Sequence, residues 1–130
     1  MARVSLILIA LAALAELGRP DVALSPPSVT GIYTDMRVSA TTGDLGGMEV
    51  FVLSSKRGEF ALVQMAESAP SAPVLVSASV KDSTITFTLP SSSALGGLGA
   101  FLGVVKGGHL RGRFANDYVI DLPRGKSYWQ

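Results

Sequence analysis

From Gly31 onward, apolar and polar residues alternate with a period of two, and short turn-forming segments separate the alternating runs. Successive side chains on a strand point to opposite faces, so this period marks strands with one buried face. Parallel neighbours would need crossovers of about a dozen residues or more, and most of these links are far shorter. No stretch after residue 15 keeps a helical period over several turns. The chain is therefore predicted to be all-β: an antiparallel up-and-down meander of about eight strands. Few of the strands carry edge protection, which predicts closure into a small barrel.

The pattern places the strands and turns. Ile32, Thr34, Met36 and Val38 share one face of the first strand, with Tyr33, Asp35, Arg37 and Ser39 on the other. Thr41 to Gly47 reads as a turn, followed by a strand from Met48 to Ser54 that is apolar on both faces except at Glu49. Ser55 to Gly58 turns the chain into a strand from Phe60 to Ala66. A proline-bounded loop from Ser68 to Pro73 leads to a strand from Val74 to Val80. After Asp82-Ser83, Ile85, Phe87 and Leu89 face away from Thr84, Thr86 and Thr88. Pro90 ends that run, and Ser91 to Gly99 reads as a flexible loop. Ala100 to Lys106 is a strand, and Gly107-Gly108 signals a two-residue hairpin, whose central positions need positive φ. Leu110, Gly112 and Phe114 then alternate with His109, Arg111 and Arg113. The last strand runs from Tyr118 to Leu122, and Arg124 to Gln130 is a tail.

The first residues follow another logic. Arg3 precedes an apolar run from Val4 to Leu14, and Ala13-Leu14-Ala15 supplies the small residues of a signal-peptidase site. A secretory signal peptide over residues 1–15 is expected, because Glu16 and Arg19 end the run before it could span a bilayer. Retention as an uncleaved anchor is the other reading. Residues 16–30, with Pro20, Pro26 and Pro27, read as an extended arm, and residues 31–130 as the barrel domain. The expected location is exported, periplasmic or extracellular, with no integral membrane span once the signal is cleaved.

Loss of Arg3 with the signal leaves basic and acidic residues balanced, so nothing pulls the domain toward nucleic acid. The chain has no cysteine, which excludes disulfides and thiolate metal sites. With a single histidine as well, no metal site and no cofactor is expected.

Ile85, Phe87 and Pro90, then Phe101 and Gly103, then Leu110, Gly112 and Phe114, then Leu122 and Arg124 form a loose pattern. Over residues 74–124 this pattern resembles exported bacterial calycin-like, or lipocalin-like, β domains. The resemblance implies a small barrel of unknown function and carries no catalytic residue.

The residues that could carry chemistry lack partners. His109, at the hairpin, has no Gly-x-Ser-x-Gly or Ser-x-x-Lys nucleophile to serve, and reads as a solvated turn residue. Asp35 and Glu49, on neighbouring strands, could form a carboxylate pair, although solvated positions suit them better. Gly125-Lys126-Ser127 copies the end of a phosphate loop, but its first glycine would fall at Ile120 and no helix follows. Arg111 and Arg113 share one strand face, as a solubilising surface or an anion site. Tyr128 and Trp129 either cap one barrel end or form an exposed binding patch, with capping the favoured reading.

The expected function is that of a non-enzymatic binding or interaction module. Its site residues would be Tyr128, Trp129, Arg111 and Arg113, and its partner a small apolar ligand or an exported protein. Phe60, Phe87, Phe101 and Phe114 are expected inside the barrel, leaving little room for a ligand. Two alternatives are an inhibitor of a secreted enzyme acting through the arm, and a hydrolase using carboxylates.

Overall fold

The computed structural model describes residues 28–130. The expected signal peptide and all but the last three residues of the arm lie outside the described residues. The strands are β1 (Gly31–Thr34), β2 (Arg37–Val38), β3 (Leu45–Ser55), β4 (Gly58–Pro70), β5 (Val74–Lys81), β6 (Thr84–Thr88), β7 (Ala100–Lys106), β8 (His109–Phe114) and β9 (Val119–Pro123). They form one antiparallel sheet in the order β1-β3-β4-β5-β6-β7-β8-β9, with the two-residue β2 also paired to β3. The order is the meander expected from the short links.

The sheet curls until its two ends meet. Tyr33 on β1 bridges Arg124, just after β9, and Gly125 N–H donates to the Ile32 carbonyl at 2.9 Å. The Arg124 side chain tightens this seam. Its guanidinium donates to the Thr30 carbonyl at 2.8 Å, to Tyr33 Oη at 2.7 Å and to the Ser28 carbonyl, and lies over the Tyr33 ring. Tyr33 Oη in turn donates to the Val29 carbonyl at 2.6 Å. The result is a nearly closed barrel, with the last residues of the arm tied into it.

Cross-strand pairing fills the interior in rows. Tyr33, Val50 and Val63 form one row, and Val52, Ala61 and Val76 another. Phe87, Phe101 and Phe114 form an aromatic row, their neighbouring ring centroids 4.8 Å apart. Ile85, Leu110, Ile120 and Leu122 complete the same core. Among the described residues the one buried side chain with a polar group is Tyr33, whose hydroxyl is hydrogen-bonded in the seam. An outer-membrane barrel has the reverse arrangement, with apolar residues facing out and a polar lumen.

Several local expectations need correction. The flexible loop after Pro90 is an ordered plug: Leu89, Leu95 and Leu98 are buried in the core, and consecutive turns hold Ser93, Gly96 and Leu98. Its leucines cover the barrel end beside the phenylalanine row. The turn after β2 ends at Asp44, since Ser39 N–H donates to the Asp44 carbonyl and Leu45 already buries its side chain with Met36 and Ala66. That contact draws Gly46 and Gly47 into β3. β3 and β4, with 11 and 13 residues, are longer than the alternation suggested, and β4 runs on through Pro70. The expected first strand breaks into β1 and β2, because Asp35 Oδ1 turns to accept the Met48 N–H at 2.7 Å. Phe60 pairs with Leu53 on the outer face, because its neighbour Ala61 takes the inward position opposite Val52.

Elsewhere the turns fall where expected. Gly107 and Gly108 both have positive φ, 59° and 74°, between paired Lys106 and His109. Side chains disfavour two successive left-handed residues, so glycine is what this hairpin requires.

Candidate functional site

The outer face of β1, β3 and β4 is not the polar surface that one-sided alternation would give. Ile32 pairs with Phe51, Phe51 with Leu62, and Leu62 with Leu75, so four apolar side chains cross four strands in a row. The parallel row beside it is polar: Thr34, Glu49 and Gln64. The C-terminal tail crosses this face.

Two outward side chains hold the tail. Glu49 accepts from Ser127 Oγ at 2.7 Å and from Tyr128 N–H at 2.9 Å. Gln64 Oε1 accepts from Trp129 Nε1–H at 2.8 Å, while Gln64 Nε2 donates to the Ser71 carbonyl at 2.7 Å. The second bond fixes which end of the carboxamide faces the indole, so the chain Ser71–Gln64–Trp129 orients the ring. Tyr128 and Trp129 meet edge to face, with centroids 5.0 Å apart.

Pinned in this way, the aromatic pair still faces water: Tyr128 is 38% exposed and Trp129 54%. The tail therefore does not cap a barrel end, as capping predicted. Its bonds to Glu49 of β3 and Gln64 of β4 lay the tail across the side wall instead. Between tail and wall is a groove of about 410 Å³, lined by Ile32, Phe51, Leu62, Pro73, Glu49, Gln64, Ser127, Trp129 and Gln130.

Arg111 and Arg113 occupy the outer face of β8. In the strand order β8 stands three places from β3 by the shorter way round, so the arginines and the aromatic pair are not brought together. Arg111 Nε donates to Asp121 Oδ2 at 2.9 Å, and Arg113 lies 3.7 Å from Asp117. Arg113 also lines a surface cavity of about 510 Å³ beside Phe101 and Phe114.

His109 is the first residue of β8 and is partly exposed. Its Nδ1–H donates to Asp121 Oδ1 at 2.6 Å, since an ionised carboxylate can only accept. The hydrogen bonds from His109 and Arg111 hold the Asp121 carboxyl below the ordinary aspartate range. The residues paired with His109 are Lys106 and Pro123, neither of them an activated hydroxyl. Of the two carboxylates considered as a catalytic pair, Asp35 accepts the Met48 amide and Glu49 holds the tail. Among the described residues no three acidic or histidine side chains group as a metal site would require.

Sequence reasoning missed Glu49 and Gln64 as tail anchors. The one signal was that the Met48–Ser54 run is apolar on both faces. A sheet face that is apolar away from the core must be covered by something, and the tail was the segment left over.

No protein-family model matches the chain, and neither a curated protein nor a solved structure matches it.

Proposed function

We propose that this protein is an exported, calycin-like barrel that works as a binding module, with its binding surface on the outer wall of β1, β3 and β4. The observation that carries this reading is the orientation of Trp129. Gln64 fixes the indole through its N–H, yet the ring stays more than half exposed beside an apolar row. An exposed large aromatic on a small domain costs solubility, and a fixed, exposed one has the form of a recognition anchor. The interior is a poorer place for a ligand, because buried side chains fill it from the Tyr33 row to the phenylalanine row. The calycin-like pattern quoted from the sequence supports the reading at the level of architecture. Leu122 and Arg124, its last two residues, lie in the core and in the closing seam.

The neutral apolar dye Nile red tests the surface. Saturable fluorescence enhancement with the wild-type protein, lost in Trp129→Ala while the barrel stays folded by circular dichroism, is the expected result. No enhancement, or equal enhancement in both proteins, overturns the proposal.

A further inference from the structure

The groove beside Trp129 has a chemical character of its own. Its floor is aliphatic and aromatic, from Ile32, Phe51 and Leu62, and one wall is the indole of Trp129. Its rim carries a carboxylate, two carboxamides and a hydroxyl: Glu49, Gln64, Gln130 and Ser127. Such a rim both donates and accepts. Glu49 uses one acceptor site on each oxygen for the tail, and each oxygen has a second. Gln64 Nε2 has a second N–H beyond the one given to Ser71.

The ligand that matches an exposed, pre-oriented aromatic face ringed by groups of both hydrogen-bonding senses has an apolar face and an edge of hydroxyls. A pyranose ring is such a ligand: its axial C–H groups lie on the ring face and its hydroxyls, each donor and acceptor, project around it. Other classes fit less well. An acyl chain needs a deep apolar cavity, and here the barrel interior is occupied. A single-stranded nucleic acid would stack on the indole but needs a basic groove for its phosphates, whereas the one charged side chain in this lining is the Glu49 carboxylate. The same carboxylate disfavours acidic sugars.

We propose that this groove is a glycan-binding site, in which the Trp129 indole stacks on a ring of an uncharged oligosaccharide and Glu49, Gln64 and Gln130 bond its hydroxyls. The proposal rests on the reading of this outer wall as the binding surface. It assigns Gln64 a positioning role: it holds the indole plane ready, so that stacking does not first have to order the side chain.

The test is titration of the protein, its indole nitrogen labelled, with three neutral hexasaccharides up to the millimolar range: β-1,4-linked glucose, β-1,4-linked N-acetylglucosamine and α-1,4-linked glucose. Trp129 is the only tryptophan, so its single indole N–H resonance reports on the groove without any substitution. The expected result is a saturable shift of that resonance with at least one hexasaccharide. By calorimetry, binding of that sugar is expected to be lost in Trp129→Ala and weakened about tenfold in Gln64→Leu. If none of the three sugars moves the resonance while Nile red still binds in a Trp129-dependent way, the glycan proposal fails and the binding surface stands. The same sugar result, with a proline- and aromatic-rich peptide moving the resonance instead, assigns the groove to peptides and overturns the proposal. If neither sugar nor Nile red binds, both readings fall. Sugar binding of equal strength in Trp129→Ala also overturns the proposal, by placing the site elsewhere.

Discussion

Gly103 and Gly112 pair across β7 and β8, and the ring of Phe101 lies over both. A methyl group at position 112 would meet that ring and the Leu102 carbonyl oxygen. Gly112→Ala must therefore push Phe101 out of its row with Phe87 and Phe114, and is expected to cost about 1–3 kcal/mol as an overpacked core site does. Urea melts would check this, and an unchanged midpoint would count against the packing. Tyr33 offers a second test at the same scale. Burial raises its phenol above the ordinary tyrosine value, while the Arg124 charge and hydrogen bond pull it back. An unfolded tyrosine loses its proton near pH ~10, where the folded protein still holds it. Above that pH the unfolded state is favoured, so this part of the stability is present at neutral pH and lost as pH rises. Tyr33→Phe is expected to cost about 1–3 kcal/mol at neutral pH by stranding the Val29 carbonyl, and to flatten the alkaline loss. Melts of both proteins at pH 7 and pH ~11 would show whether the two curves converge; parallel curves would contradict the assignment.

At the scale of elements, the sequence made strands and hairpins legible because period-two alternation and turn residues are local. Asp82-Ser83 and Gly107-Gly108 join the strands the alternation predicted, and Ile85, Phe87 and Leu89 point inward as read. What was not legible depended on contacts between distant segments. The loop after Pro90 is rich in serine and glycine, and only the barrel end waiting to be covered makes Leu95 and Leu98 core residues. Phe60 and Phe51 are as apolar as Phe87, and nothing within their own strands says that they face outward or that a tail will run beside Phe51. The tail's aromatics invited a capping role for the same reason: the plug that already closes the barrel end could not be seen. These assignments make opposite demands on stability. Leu95→Ala is expected to cost about 2–5 kcal/mol, the range for a buried leucine. Trp129→Ala should cost clearly less than the roughly 3–5 kcal/mol of a core aromatic, because more than half of the side chain is already in water. Thermal melts of the two variants should rank them in that order, and the reverse ranking would put Trp129 in the core and the loop outside it.

For the whole molecule, one topology does two things. Closing a meander removes most open sheet edges and fills the interior with side chains, which leaves the wall as the surface on which the proposed recognition is placed. The chain joins its ends at the Tyr33–Arg124 seam and then spends its last residues on that wall, anchored by Glu49 and Gln64. The proposed function thus sits outside the barrel, on residues separated in sequence by nearly the full length of the domain. The most direct measurement of that claim is a two-dimensional amide NMR titration with Nile red. The expected result is that the shifted resonances cluster at Ile32, Glu49, Phe51, Leu62, Gln64 and residues 127–130, with those of Leu110 and Phe114 unmoved. Shifts concentrated on interior residues such as Ile85, Leu110 and Phe114, or on Arg111 and Arg113 of β8, would contradict it.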